Sequence, residues 1–274
     1  MKKIFVLILL LFIAGCSRKP EIVTLKSGIK YADDTVGTGI QAKFGDLVSI
    51  QYTVWLFQDS IDIFKDWSKD STKMHSIIGS TKLKNEPVKF ILDGLSFIKG
   101  SEEGITGMKV GGTRTIIIPV AVPNSQSSTG MKKPQHPSLK LQVKLVSSKQ
   151  PVPVKPWIVD STKLQTTKDG LRYIIIQEGS GPNVSDSNLV TVNYSGFLLN
   201  GDKFDSSVER EQPLLVRIGF TKLLAGWEEG LRLLNKGAKA KLIMPPSLAF
   251  GQKQLGKIPP NSTVVFDVEI VDIK

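Results

Sequence analysis

The amino-acid sequence predicts an α+β protein built from one unit written twice, each copy an antiparallel β-sheet wrapped around a short α-helix. Three observations carry this expectation: a repeat at an offset of 142 residues, segments with the alternating apolar pattern of half-buried strands, and one segment with helical spacing. At that offset Thr24-Leu25-Lys26-Ser27-Gly28-Ile29-Lys30-Tyr31 aligns with Thr166-Thr167-Lys168-Asp169-Gly170-Leu171-Arg172-Tyr173. Gly37 and Gly39 align with Gly179 and Gly181, and Tyr52 with Tyr194. Further on, Gly100-Ser101-Glu102-Glu103-Gly104 matches Gly226-Trp227-Glu228-Glu229-Gly230 at an offset of 126, so the first copy carries 16 extra residues between Phe57 and Glu86.

Taken in chain order, the first element is a targeting segment. Lys2-Lys3 precede an apolar run from Ile4 to Ile13 and the small residues Ala14 and Gly15, the pattern of a secretory signal and too short for a comfortable bilayer span. Ile13-Ala14-Gly15-Cys16 resembles a bacterial lipobox. That resemblance implies a lipoprotein signal peptide over 1–15, acylation of Cys16 and a tether over 16–23. Two or more acyl chains, at about 0.8 kcal/mol per buried methylene, hold a protein stably on a membrane. The expected location is the bacterial cell envelope, and Ser17 after the cysteine points to the outer membrane, facing the periplasm.

The first copy is expected over 24–147, where Leu139, Leu141, Val143 and Leu145 alternate as a strand. A linker follows over 148–163, and Pro151, Pro153 and Pro156 make it extended and semi-rigid. The second copy spans 164–274. Strands are expected at Leu189–Tyr194, Lys239–Met244 (stopped by Pro245-Pro246) and Val264–Ile270, where Phe266, Val268 and Ile270 share a face. Leu224, Trp227, Leu231 and Leu234 recur at spacings of three, four and three, the apolar face of a short helix. Charge divides unequally: residues 16–149 carry a net +7 and residues 150–274 a net +2. The basic first copy either faces anionic lipid or an acidic partner, or is a solvated lysine-rich surface.

Composition excludes several chemistries. With His75 and His136 as the only histidines, the second copy has none for a Ser-His-Asp hydrolase, and zinc sites lack ligands. The single cysteine rules out an internal disulfide. The paired glycines lack a third glycine and a following helical pattern, so they are turn glycines and not a phosphate loop. No nucleic-acid motif occurs, and nucleic acid is not an expected partner.

Apolar and aromatic residues cluster at the turns of the second copy: Tyr194 before Ser195-Gly196, Phe204-Asp205-Ser206-Ser207, Leu223-Leu224-Ala225-Gly226-Trp227, Ala249-Phe250-Gly251 and Ile258-Pro259-Pro260. Taken singly, Trp227 reads as core and Asp205 as an Asx-turn acceptor. The ordered series resembles the FKBP-type peptidyl-prolyl isomerases over about Thr166 to Ile273. The resemblance implies a catalytic pocket of Tyr194, Phe204, Asp205, Trp227 and Phe250, with Trp227 as its floor. Substrate would be bound by Arg210, Leu223, Leu224, Ile258 and Phe266, the Leu224 N–H donating to a substrate carbonyl. No cofactor or metal is implied, and the partners are proline-containing polypeptides, envelope proteins during folding. Phe250 stands where the family commonly has a tyrosine whose hydroxyl bonds the substrate, Leu214 replaces an aromatic wall, and the loop Gln252 to Lys257 is about one residue short. In the first copy Ser101 replaces the tryptophan, Asn124 the Phe250 position and Leu141 the Phe266 position, with Phe64 and Asp66 only a faint echo of Phe204 and Asp205. That copy is expected to be catalytically dead. The alternative for the whole chain is a non-catalytic chaperone or scaffold that uses both copies as clamps.

Overall fold

The structure, a computed structural model of the chain, describes residues 21–57, 77–81, 86–93, 98, 100–120 and 138–274. The signal, Cys16, most of the insertion with Phe64 and Asp66, and Asn124 lie outside the described residues.

Alternating apolar residues build the first sheet. Among the described residues its strands are β1 (Val23–Thr24), β2 (Lys30–Thr35), β3 (Leu47–Phe57), β4 (Ile77–Ser80), β5 (Val88–Ile91), β6 (Thr113–Pro119) and β7 (Ser138–Lys149); helix α1 (Ser101–Ile105) lies between β5 and β6. The strands run antiparallel in the order β1-β2-β6-β7-β3, and β4 and β5 share the outer edge of β3. Their inward side chains, among them Ile50, Ile116, Leu141 and Leu145, close over Ile105 of α1 as one buried cluster.

The second copy follows as β8 (Gln165–Thr166), β9 (Arg172–Gln177), β10 (Ser180–Asn183), β11 (Leu189–Leu198), β12 (Lys203–Ser206), β13 (Leu214–Arg217), α2 (Ala225–Arg232), β14 (Asn235–Lys236), β15 (Lys239–Met244) and β16 (Val264–Ile273). Its larger sheet repeats the first strand for strand: β8-β9-β15-β16-β11, with β12 and β13 sharing the edge of β11. β10 and β14 pair separately. Val190, Val192, Leu231, Leu242 and Val268 form the core beneath α2. The repeated Glu-Glu-Gly has a packing cause in both copies. A Cβ at Gly104 would lie 2.6 Å from Ile116 Cγ2, and one at Gly230 would lie 2.6 Å from Leu242 Cδ1, so only glycine lets each helix lie this close to its sheet.

Two details differ from the sequence reading. The expected strand Leu189–Tyr194 runs on to Leu198, and Val264–Ile270 runs on to Ile273. The short helix expected in each copy is present, α1 in the first copy being only five residues long.

The proline-rich segment is bonded to both copies. Gln150 Nε2 donates to Asp46, the Val154 N–H to Glu209 Oε1 at 2.9 Å, and the Trp157 N–H to Asp267 Oδ2 at 2.6 Å. Ser195, Asp267 and Lys241 form one buried row across β11, β16 and β15, on the face opposite the core. Lys241 Nζ pairs with Asp267 Oδ1 at 2.5 Å. Burial pushes the Asp267 carboxyl up from its ordinary value, against the Lys241 and Trp157 hydrogen bonds, which favour the charged form. Ion pairs also join the copies directly. Glu211 receives Lys149 at 2.6 Å and Lys89 at 3.1 Å, and Lys257 lies 3.7 Å from Asp93.

Candidate active site

The site is assembled where the second sheet closes over the start of α2. Along β11 buried and half-buried residues alternate up to Tyr194, but from Tyr194 to Phe197 every residue is buried. Gly196 lies opposite Phe266 on β16 and Asp205 on β12. A Cβ there would sit 2.6 Å from the Phe204 ring and 2.9 Å from that of Phe266, so the bare backbone makes room for both rings. Trp227 enters from the first turn of α2, which is reached through Leu224 in extended conformation. A short 3-10 turn, Pro246–Leu248, delivers Phe250, and a bridge between Leu255 and Ile258 turns Ile258 inward to 5% exposure.

The rings meet edge to face. Trp227 lies 5.1 Å from Tyr194 and 5.3 Å from Phe266, while Phe204 lies 5.5 Å from Phe266 and 6.2 Å from Phe250, centroid to centroid. This is the favoured geometry for aromatic quadrupoles, and it yields a stiff apolar cup. The Trp227 Nε1–H is buried and has no hydrogen-bond partner among the described residues. Finished protein cores seldom leave such a donor unpaired.

At the rim stands a polar cluster. The Tyr194 hydroxyl donates to Asp205 Oδ2 and accepts from Arg210 Nη2 at 2.9 Å. Asp205 Oδ1 receives Arg210 Nη1 and the Ser206 N–H, the latter at 2.9 Å. Asp205 is thus held by three donors from one side, with its side chain 39% exposed. This network fixes and orients. It contains no histidine, and its hydrogen bonds tie Tyr194, Asp205 and Arg210 to one another.

All ten residues expected at the pocket line one open cavity of about 810 Å³. Leu223, Leu224, Phe250 and Ile258 form its walls with Leu214, and Trp227 contributes to its surface. Sequence reasoning did not anticipate Lys222, Leu255 and Gly256, which flank expected residues, nor Val88, Lys89 and Phe90, which come from β5 of the first copy. Two positions in the first copy that match this site, Ser101 and Leu141, are given to packing. Ser101 is buried, its hydroxyl donating to the Ile98 carbonyl at 2.8 Å, and Leu141 is fully enclosed.

Comparison with known proteins gives a consistent result. The family model described as FKBP-type peptidyl-prolyl cis-trans isomerase matches residues 38–146 and 181–271. The FKBP-type peptidyl-prolyl cis-trans isomerase FkpA of Buchnera aphidicola subsp. Acyrthosiphon pisum is 31% identical over 203 residues, covering 72% of this chain and 78% of its own. FkpA of Escherichia coli K12 is 45% identical over 111 residues, 40% of each chain. Against the crystal structure of Escherichia coli FkpA the TM-score is 0.39, with 44% identity over 42% of this chain and 53% of that one.

Proposed function

The chain belongs to the FKBP-type peptidyl-prolyl cis-trans isomerases, and from that premise we propose that catalysis resides in the second copy. The layout proposed is that of the sequence reading: lipidated Cys16 and a short tether, a first copy over 24–147, a linker over 148–163 and an isomerase domain over 164–274. The protein assists the folding of envelope proteins from the membrane surface.

Rotation about an Xaa-Pro bond breaks no covalent bond. Its barrier, about 18–20 kcal/mol, is the cost of losing amide resonance. The twisted amide is less polar at its carbonyl than the planar one, so an apolar enclosure favours the transition state over the ground state. Trp227 carries the proline ring, Phe204, Phe250, Ile258 and Phe266 keep water from it, and the Leu224 N–H at the mouth of α2 donates to a substrate carbonyl. The cluster of Tyr194, Asp205 and Arg210 fixes one wall and polarises the twisted amide without exchanging a proton.

The observation that best supports this reading is the joint placement of an aromatic cup floored by Trp227 and the Asp205 cluster at its rim. The test is isomerisation of an Xaa-Pro tetrapeptide by the full chain. Trp227→Ala and Asp205→Asn should each lower kcat/KM by about tenfold or more, a loss of at least about 1.4 kcal/mol of transition-state stabilisation. No acceleration by the wild type, or wild-type rates from both variants, rejects the proposal. A non-catalytic clamp is the second reading, favoured by the missing hydroxyl at Phe250. It predicts tight binding of proline peptides with no acceleration.

A further inference from the structure

The cavity is not closed by the second copy alone. Val88, Lys89 and Phe90 of β5 lie on its wall together with Trp227 and Leu224. A smaller adjoining cavity is likewise shared, between Phe90, Ile91 and Asp93 on one side and Phe204, Asp205 and Lys257 on the other. We propose that β5 of the first copy is the second wall of the substrate cleft, so that residues flanking the prolyl bond are read by Val88, Lys89 and Phe90. The inference rests on the isomerase reading and extends it from the proline ring to the chain on either side.

Three observations support it. Size is the first: ligand cavities of about 300–1,000 Å³ hold drug-sized molecules, so a cleft of about 810 Å³ accommodates a peptide segment and not a single ring. Position is the second. The pairing of Lys89 and Lys149 with Glu211, the contact of Lys257 with Asp93, and the linker bonds to Glu209 and Asp267 set β5 beside the pocket from several directions. Charge is the third. The lining carries Lys89, Lys222 and Arg210 against Asp205, and the nearby Glu211 is shared by Lys89 and Lys149. An excess of positive charge remains, so the occupant favoured is an extended polypeptide with apolar and acidic residues next to its proline. The worn first copy is thereby accounted for, since it keeps its sheet and lends an edge strand to its neighbour's site.

The experiment compares two substrates on the full chain, an Xaa-Pro tetrapeptide and the same core extended by several residues on each side, with acidic or basic flanks. Val88→Asp and Lys89→Glu should lower kcat/KM for the acidic extended peptide by about fivefold or more relative to any change for the tetrapeptide, with the loss largely in KM. Glu211→Gln keeps every lining side chain but weakens the ion pairs that set β5 beside the pocket, so it should lower kcat/KM for the acidic extended peptide more than for the tetrapeptide. Amide NMR shifts of Lys89 and Phe90 on titration with the extended peptide provide a readout independent of turnover, and Val88→Ala replaces Val88→Asp if the latter unfolds. Equal responses of short and extended peptides, with no shifts at β5, overturn the composite cleft while leaving the isomerase standing. No turnover of either peptide by the wild type overturns the isomerase reading and this inference with it.

Discussion

Tyr194 shows how much one hydroxyl can organise. It donates to Asp205 and accepts from Arg210, which also reaches Asp205 directly, so the three side chains fix one another at the rim of an otherwise apolar cup. Phe250 shows the reverse, a wall position with area but no donor. Its ring meets Phe204 edge-on at 6.2 Å, and a hydroxyl added there would supply the substrate hydrogen bond that the family resemblance leads one to expect. Phe250→Tyr is therefore a gain-of-function prediction. One added hydrogen bond contributes about 0.5–1.5 kcal/mol, so kcat/KM for an Xaa-Pro tetrapeptide should rise about two- to thirteenfold, read from initial rates of cis-to-trans conversion. An unchanged or lower rate would mean that this position does not face the reacting amide.

Among the elements, those whose side chains alternate or recur with a single period were legible in the sequence. β15 and β16 alternate apolar with polar residues over Lys239–Leu242 and Phe266–Ile270, although Lys241 and Asp267 are themselves buried, and α2 sets Trp227 and Leu231 inward with Leu234 just beyond its end. The end of β11 escaped because its alternation stops: both faces are covered from Tyr194 onward, and period-two patterns report a strand with one wet face. α1 was legible only through the repeat, since five residues are less than two turns and carry no period of their own. The pocket was legible through its ordered residues, whereas β5 was not, since contact between two copies leaves no periodic mark. The buried row under the linker was equally silent, and it carries the next prediction. Asp267→Asn keeps an acceptor for the Trp157 N–H but removes the charge facing Lys241, whose side chain is 7% exposed. Leaving a buried cation without its partner costs about 3–5 kcal/mol. Denaturant unfolding should register that loss, and replacing both members by apolar residues of similar volume should recover most of it. A near-neutral single variant would show that water reaches this row.

For the whole molecule, the duplicated topology raises the question of what keeps the copies in register, and Glu211 gives a measurable answer. Lys149 and Lys89, in that order of effect, hold its carboxyl below the ordinary glutamate value of 4.5. A depressed acid contributes to docking above its unperturbed pKa, and the contribution is lost as pH falls through the depressed value. Docking of the two copies should accordingly be constant near neutrality and weaken on acidification below about 4.5. The three groups are solvent-accessible, so added salt should weaken the same contact at neutral pH, the Debye length shrinking from about 10 Å at 0.1 M to about 3 Å at 1 M. Glu211→Gln should reduce both the acid-dependent and the salt-dependent parts, leaving the share of the Lys257–Asp93 pair. Small-angle scattering can follow this as a rise in radius of gyration, with cleavage near the linker as a second monitor. A radius that does not change with acid or salt would mean that the linker bonds to Glu209 and Asp267 suffice to hold the copies together, leaving Glu211 as a surface ion pair of little consequence.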